Sequence, residues 1–183
     1  SIAVVCRKTD ISDIERLSGE NGITKLTAVA EGGSTRQQSV KNGVALAQGA
    51  DFIAIHDGAR PLVTPQDIDK VVADAQKHGA AALGVQVKDT IKVVDNNGFI
   101  LSTPNRSSLI AIYTPQVFKT DMYMQAMKKA EEDNKDYTDD CQLVEALGKR
   151  VLVTVGSAEN IKLTTPEDIA VAESFLKRRG NLK

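Results

Sequence analysis

The stretch Ile53-Ala-Ile-His-Asp-Gly-Ala-Arg-Pro61 joins the end of an apolar strand to a charged turn. Its apolar part, together with Phe52, is typical of a strand that is buried in a parallel sheet. The turn that follows contains an imidazole, a carboxylate, a glycine, a guanidinium and a proline. Because ligands bind at the carboxyl ends of strands in open α/β sheets, the stretch predicts a ligand site here, with an ordinary turn as the alternative.

Strand-like and helix-like segments alternate on both sides of this stretch. Strand patterns cover residues 2–6, 25–30, 52–55, 80–87 and 151–155, and helices are expected after Asp10, after the turn 31–36, and at Thr64, Thr138 and Thr165. This alternation predicts an α/β fold with a mostly parallel, doubly wound sheet. A further strand is expected at 109–113, ending in a Thr-Pro-Gln turn at 114–116.

The chain is long enough to form one domain with its own core. We find no internal repeat and no convincing linker, and we predict a single domain over residues 1–183. The strand at 2–6 follows Ser1 directly and no Met precedes it, so we expect this domain to be incomplete at its N-terminus.

Residues 88–106 depart from the strand and helix alternation. Two strand-like segments, 89–94 and 99–103, flank Asp95-Asn-Asn-Gly98, and this combination indicates a β-hairpin. A hairpin inserted into an α/β domain usually covers a site or holds a second subunit. We therefore expect an arm at about residues 88–106.

The composition is that of an ordinary globular protein. The formal net charge is −1, with 26% charged and 42% hydrophobic residues, which argues against a nucleic acid or a membrane bound through bulk charge. No apolar run is long enough to span a bilayer. Cys6 and Cys141 lie far apart and only two histidines accompany them, so we expect neither a disulfide framework nor a structural zinc site. A reducing cytoplasm is the expected location.

Three polar clusters lie at predicted strand ends or helix starts, at residues 32–39, 56–60 and 160–165. In the first, adjacent glycines allow a backbone to approach a base or a phosphate closely; a helix start that merely needs caps is the alternative. In the second, Asp57 could hold a metal or a sugar hydroxyl and Arg60 could bind a phosphate. An Asp57–Arg60 pair that only stiffens the turn is the alternative there.

Lys162 in the third cluster lies between two apolar residues just before a helix start. An ammonium group is costly at such a place unless it faces an anion, although solvated lysines at strand ends are also common. His56 is more often a structural histidine than a catalyst in this context. P-loop, nucleophile-elbow and His-Glu-x-x-His motifs are missing from the sequence, which weakens interpretations as an NTPase, a hydrolase or a metalloprotease.

An ordered set of short blocks runs along nearly the whole sequence. The blocks are Gly32-Gly33 with Arg36-Gln-x-Ser39, His56-Asp-Gly-Ala-Arg-Pro61, Asp89-Thr90, Arg106, Thr114-Pro-Gln116, Thr138-Asp139, and Asn160-Ile-Lys162 with Thr165-Pro-Glu-Asp168. In this order they resemble the 2-C-methyl-D-erythritol 4-phosphate cytidylyltransferases of the non-mevalonate isoprenoid pathway. Ribitol-5-phosphate cytidylyltransferases share several of these blocks, but the Arg-Gln-x-Ser block favours the erythritol enzymes.

The resemblance implies a nucleotide-diphospho-sugar transferase-like α/β fold, with a hairpin arm that forms a homodimer. It implies an Mg²⁺-dependent reaction in which CTP and a polyol phosphate give a CDP-alcohol and pyrophosphate. The glycine-rich leader and the Pro-Lys-Gln segment of the family do not occur in this sequence. A noncatalytic nucleotide-binding dimer module is therefore one alternative, and ribitol-5-phosphate cytidylyl transfer is the other, because of the shared blocks.

The resemblance also assigns roles to individual residues. Lys162 would meet phosphate oxygens as a catalytic residue. Asp57 would lie between nucleotide and acceptor, as a second catalytic residue and as the metal ligand. The implied cytidine nucleotide contacts are Gly32, Gly33, Ser34, Ser39 and Gly58. The implied acceptor contacts are Arg60, Thr114 and Thr138, with Thr90 and Arg106 reaching the acceptor of the neighbouring subunit from the arm.

Overall fold

The computed structural model describes residues 1–47 and 49–180. They form two compact units. The first unit comprises Ser1–Ile55 and Val117–Val151, and the second comprises His56–Gln116 and the chain from Leu152 onward. The single domain expected over residues 1–183 stays a prediction.

Strands and helices alternate along most of the described residues, as the apolar patterns predict. The strands are β1 (Ile2–Cys6), β2 (Leu26–Glu31), β3 (Phe52–Ile55), β4 (Ala80–Gln86), β5 (Val93–Val94), β6 (Ile100–Ser102), β7 (Ile110–Lys119) and β8 (Leu152–Val155). The helices are α1 (Ile11–Glu20), α2 (Arg36–Ala45), α3 (Pro65–His78), α4 (Thr120–Glu132), α5 (Asp140–Ala146) and α6 (Pro166–Arg178). The larger sheet has the strand order β3-β7-β4-β8, so consecutive strands of the chain are not neighbours in it.

In the first unit, β1 pairs in parallel with β2. The buried residues of α4 and α5 supply most of its core, including Tyr123, Met127 and Val144. The ring of Tyr123 packs against Phe118, with their centroids 5.2 Å apart. Helix α2 begins where the Thr35 hydroxyl accepts a hydrogen bond from the Gln38 amide at 3.1 Å.

In the second unit, β4 lies between β7 and β8 and pairs in parallel with β8. Its first residues, 80–83, are fully buried, because small alanines suit the crowded centre of a sheet. Helix α3 contributes Val71 and Ala75 to the same core. Thr64 caps the start of α3 and Pro65 follows at its first turn, as the sequence predicts.

The hairpin predicted within residues 88–106 is confirmed, with strands shorter than expected. Strands β5 and β6 pair antiparallel. Their turn is closed by the Asp95 carboxylate, which accepts the amide hydrogens of Asn97 and Phe99 at 2.9 Å each. Large apolar side chains of the arm remain exposed: Ile91, Val93, Val94, Phe99, Ile100 and Leu101.

One local prediction was wrong. The Thr-Pro-Gln segment at 114–116 is not a turn; it lies inside β7 with a cis bond before Pro115, and its residues are buried. Asp10 occupies the N-cap position of α1, but its carboxylate accepts hydrogen bonds from Arg7 and Thr9 rather than from the helix amides. Helix α5, which the sequence places from Thr138 onward, begins at Asp140 and is capped by the Asp139 carboxylate. Among the described residues, no helix combines the length and apolar character that crossing a bilayer requires.

Candidate active site

The two predicted catalytic residues meet in the second unit. The Oδ2 atom of Asp57 lies 3.0 Å from Nζ of Lys162 and 3.8 Å from Nε of Arg60. The Asp57 side chain is 19% exposed and that of Lys162 is 45% exposed, so the ammonium group is open to a ligand. The carboxylate thus lies between two cations, of which one is buried and the other accessible.

Arg60 is the buried cation of this cluster, with 9% of its surface exposed. Its Nη1 atom donates to the backbone oxygen of Asn160 at 2.9 Å, and its guanidinium carbon lies 4.2 Å from the centre of the Tyr113 ring. Among the described residues, Arg60 Nε has no hydrogen-bond partner. Arg60 therefore has a fixed position and one donor that protein groups leave unsatisfied.

His56 connects the turn to β7. Its Nε2 atom lies 3.0 Å from the backbone oxygen of Arg60, and its Nδ1 atom lies 3.0 Å from the Thr114 hydroxyl. Desolvation lowers the pKa of His56 below its ordinary value of 6.5 and favours the neutral ring. This agrees with the expectation of a structural histidine.

The segment that carries Lys162 is fixed by several hydrogen bonds. The buried Asn160 donates from Nδ2 to the backbone oxygen of Thr114 at 2.8 Å. The Leu163 amide donates to the backbone oxygen of Ala59 at 2.8 Å. The Asp67 carboxylate of α3 accepts the amide hydrogen of Ser157 at 3.2 Å. Asn160 belongs to a recognised block but was not predicted as a site residue, and no local pattern pointed to Asp67.

The glycine cluster lies in the first unit and is largely closed on itself. The Gly33 amide donates to the Ser39 hydroxyl at 3.0 Å, and that hydroxyl donates to the backbone oxygen of Thr35 at 2.9 Å. The amide and the hydroxyl of Ser34 both donate to Oε1 of Gln38. The Gly32 amide donates to the backbone oxygen of Cys6 at 2.9 Å. The predicted nucleotide contacts at 32–39 therefore share one compact turn.

A β-carbon would be tolerated differently at two of the predicted nucleotide glycines. At Gly33 it would lie 2.3 Å from Cγ and 2.5 Å from Cβ of Gln38, which is a severe clash. At Gly58, in the second unit, it would meet nothing within 4 Å. Protein packing thus explains the glycine at 33 but leaves the glycine at 58 unexplained.

Thr138 is exposed ahead of α5, in the first unit. Close to it, sequence reasoning missed a buried network. The Asp140 carboxylate accepts a hydrogen bond from Arg36 Nη2 at 2.7 Å and one from the Tyr123 hydroxyl at 2.6 Å. Burial, and then the charge of Asp140, raise the pKa of Tyr123. Arg36 belongs to a recognised block and Asp140 directly follows another, which was the available signal.

The two predicted arm residues, Thr90 and Arg106, also belong to the second unit. Thr90 is exposed outside the hairpin strands. Arg106 is exposed and engaged at the base of the hairpin, where its Nη1 donates to the backbone oxygen of Lys88 at 2.7 Å. The second unit thus brings together Asp57, Arg60, Thr114 and Lys162, while Gly32, Gly33, Ser34, Ser39 and Thr138 belong to the first unit.

Asp57 is the carboxylate of this cluster that the sequence predicts as a metal ligand. Among residues 1–47 and 49–180, no group of three or more His, Cys, Asp or Glu side chains could hold a metal. Mg²⁺ commonly takes one or two carboxylates and completes its shell with water and substrate phosphates. The partly exposed carboxylate of Asp57 fits that mode.

The fold and the similar solved structures together define the class of protein, which is an α/β nucleotidyltransferase domain. A 4-diphosphocytidyl-2C-methyl-D-erythritol synthase from Anaerococcus prevotii matches 97% of this chain and 81% of its own, with a TM-score of 0.88 and 30% identity. A 2-C-methyl-D-erythritol 4-phosphate cytidylyltransferase from Thermus thermophilus matches 84% and 75%, with a TM-score of 0.75 and 34% identity.

The family follows from the sequence comparisons. The family model described as IspD, 2-C-methyl-D-erythritol 4-phosphate cytidylyltransferase, matches residues 1–178, and the chain belongs to this family. The Desulforamulus reducens protein of that name is 49% identical over 161 residues, which are 87% of this chain and 69% of the relative. The Pelotomaculum thermopropionicum protein is 48% identical over 171 residues, 92% of this chain and 70% of the relative.

Proposed function

We propose that this chain transfers the cytidylyl group of CTP to 2-C-methyl-D-erythritol 4-phosphate and releases pyrophosphate. The observation that carries the proposal is the Asp57–Lys162 pair, at 3.0 Å, in a chain of this family. A phosphate oxygen of the acceptor attacks the α-phosphorus of CTP. The new phosphorus–oxygen bond forms as the bond to the departing pyrophosphate breaks.

The reaction needs charge neutralisation more than it needs a base. The acceptor phosphate is already anionic near neutral pH, so no strong general base is required. Negative charge builds up on the nonbridging oxygens and on the leaving pyrophosphate, and catalysis of such transfers is mostly positioning and electrostatics. Lys162 supplies an accessible cation, and Asp57 holds it at one place until phosphate oxygens replace the carboxylate.

The remaining predicted roles form part of the proposal. Gly58 offers open space beside Asp57, which suits close approach of the nucleotide. The compact turn at 32–39, which contains Gly32, Gly33, Ser34 and Ser39, serves the cytidine. The acceptor is held by Arg60, Thr114 and Thr138, and Thr90 and Arg106 serve the acceptor of a second subunit.

Mg²⁺ is the proposed cofactor, with Asp57 as its protein ligand. When bound, the ion would neutralise charge on the triphosphate. The support is the fit of one partly exposed carboxylate to an ion that is otherwise held by phosphate and water.

A homodimer formed through the arm is also proposed. Its support is the row of exposed apolar side chains on the hairpin, among which Phe99 is 72% and Leu101 is 65% exposed. Exposed apolar patches of this kind mark interaction surfaces. A cytoplasmic location is proposed from the composition, and among the described residues Cys6 and Cys141 form no disulfide.

A product assay tests the reaction directly. The purified chain is incubated with CTP, Mg²⁺ and either 2-C-methyl-D-erythritol 4-phosphate or ribitol 5-phosphate, and pyrophosphate and the CDP-alcohol are quantified. We expect product with the erythritol acceptor. If product forms with ribitol 5-phosphate but not with the erythritol acceptor, the proposed substrate is wrong. If calorimetry detects CTP binding but neither acceptor gives product, the chain is a nucleotide-binding module and not an enzyme.

A further inference from the structure

Four residues of the second unit form a closed ring of hydrogen bonds beneath the charged pair. His56 bonds to the backbone oxygen of Arg60, and Arg60 Nη1 bonds to the backbone oxygen of Asn160. Asn160 Nδ2 bonds to the backbone oxygen of Thr114, and the Thr114 hydroxyl bonds back to His56. All four distances lie between 2.8 and 3.0 Å. The ring joins the turn at 56–60 to β7 and to the segment before Lys162.

The chemistry of the partners determines the direction of each bond. A backbone oxygen can only accept, so His56 Nε2 carries the hydrogen that it donates to Arg60. In the neutral ring Nδ1 is then the acceptor, so the Thr114 hydroxyl, which accepts the Asp57 amide hydrogen at 3.0 Å, donates its own hydrogen to His56 Nδ1. One neutral tautomer of His56 satisfies both of its neighbours at once.

The charged pair is attached to this ring at two points. The Asp57 amide bonds to the Thr114 hydroxyl, which fixes the backbone from which the carboxylate extends. Lys162 follows Asn160 by two residues, and the next residue, Leu163, bonds to the backbone oxygen of Ala59. The separation of Asp57 Oδ2 and Lys162 Nζ therefore depends on a ring to which neither side chain belongs.

We propose that His56 is a positioning residue for the cytidylyl transfer, acting through Thr114 on Asp57 and hence on Lys162. This inference rests on the proposed function. Its critical link is the hydrogen bond from Thr114 to His56 Nδ1, because the same hydroxyl accepts the Asp57 amide hydrogen. A freed hydroxyl can rotate away, and misplacement of a charged group by about 1 Å can cost about two orders of magnitude in rate.

Three substitutions separate the two links of His56. The amide oxygen of His56→Asn can replace Nδ1 as an acceptor for Thr114, whereas the amide nitrogen of His56→Gln can replace Nε2 as a donor to Arg60. His56→Ala removes both links. His78→Gln, at an exposed histidine in the last turn of α3, is the matched control. For each variant, kcat and the KM of each substrate are measured well below the unfolding temperature.

We expect His56→Ala to lower kcat about tenfold, with the KM of CTP within about twofold of wild type. His56→Asn should recover kcat to within about threefold of wild type, and His56→Gln should stay near His56→Ala. The proposal is overturned if His56→Ala keeps wild-type kcat, if His56→Gln is the variant that recovers it, or if all three are merely less stable at unchanged kcat.

A second readout does not depend on turnover. Nitrogen-15 correlation spectra of the imidazole report the tautomer, and His78→Gln assigns the signal because the chain has two histidines. We expect the Nε2–H form, with the Asp57 amide protected from hydrogen exchange in wild type and His56→Asn and unprotected in His56→Gln. The positioning role is overturned if the ring is the Nδ1–H tautomer, or if the Asp57 amide is equally protected in His56→Asn and His56→Gln. Both readouts apply even if the chain turns over neither acceptor.

Discussion

The ion pair of Asp57 and Lys162 points to a functional role, because it contributes little to the stability of the fold. A pair in which one partner is 45% exposed contributes at most about 1 kcal/mol to stability. The sequence alone does not decide whether Lys162 binds an anion or is merely solvated. No local pattern connects it with a carboxylate so far away in the chain. The family resemblance assigned both residues to one reaction, and the structure places their charged atoms 3.0 Å apart.

Replacing Lys162 by alanine should therefore lower activity without unfolding the chain. We expect kcat to fall at least about tenfold, because removal of a preorganised charge donor commonly costs two to three orders of magnitude in rate. The measurement is steady-state pyrophosphate release, with thermal unfolding recorded alongside. Lys70→Ala, at an exposed lysine on α3, is the control and should behave as wild type. Near-wild-type turnover of Lys162→Ala would refute its catalytic role.

The two glycines at 33 and 58 should respond in opposite ways to alanine. Gly33→Ala places a β-carbon 2.3 Å from Gln38 Cγ, and we expect it to reduce stability by about 1–3 kcal/mol. Gly58→Ala points into open space and should leave stability unchanged while raising the KM of CTP. Urea unfolding and CTP titration of both variants check this. Unchanged CTP affinity in Gly58→Ala would contradict the role of this glycine in nucleotide binding.

Elements with strong local signals could be predicted from the sequence, and elements defined by tertiary context could not. Helix α3 has a capping threonine, a proline at its first turn and a glycine at its end with φ of +89°. The hairpin has an Asp-Asn-Asn-Gly turn. The strand predicted at 109–113 ends too early, because Thr-Pro-Gln is common in turns. Burial of Val117 and Phe118 beyond it continues the strand instead.

Helix α6 makes a pH-dependent contribution that its N-terminal cap explains. The Asp168 carboxylate accepts hydrogens from the amides of Thr164 and Thr165 at 2.7 and 2.8 Å. These bonds hold the pKa of Asp168 below its ordinary value of 3.8. The unfolded chain therefore binds more protons in acid, so this stabilisation is present above pH 3.8 and is lost as the pH falls through the folded pKa.

Asp168→Asn should accordingly be less stable than wild type near neutral pH. We expect the difference between the two urea midpoints to shrink as the pH falls below 3.8, because both chains then carry a neutral side chain at this cap. Glu173→Gln, at an exposed position of the same helix, serves as control and should show a much smaller change. A gap that keeps its size in acid would argue against the carboxylate cap.

For the whole molecule, the arm is the part whose purpose is least explained by the chain's own packing. Hairpins of two short strands are only marginally stable alone, and this one leaves most of its apolar side chains exposed. The alternation of strands and helices predicted the α/β class, and the break in that alternation predicted the arm. Because these side chains remain exposed in one folded chain, neither the sequence pattern nor that chain's own packing identifies a partner for the arm.

Polar substitution of the arm should therefore separate the proposed dimer. The double variant Phe99→Glu with Leu101→Glu places charges on side chains that are 72% and 65% exposed, so the fold of each chain should persist. We expect its sedimentation mass to fall from that of two chains to that of one, because like charges would be buried across the interface. Ile169→Glu, at a side chain 54% exposed on α6, is the control and should leave the mass at two chains. A two-chain mass for the arm variant, or after deletion of residues 90–104, would place the interface elsewhere.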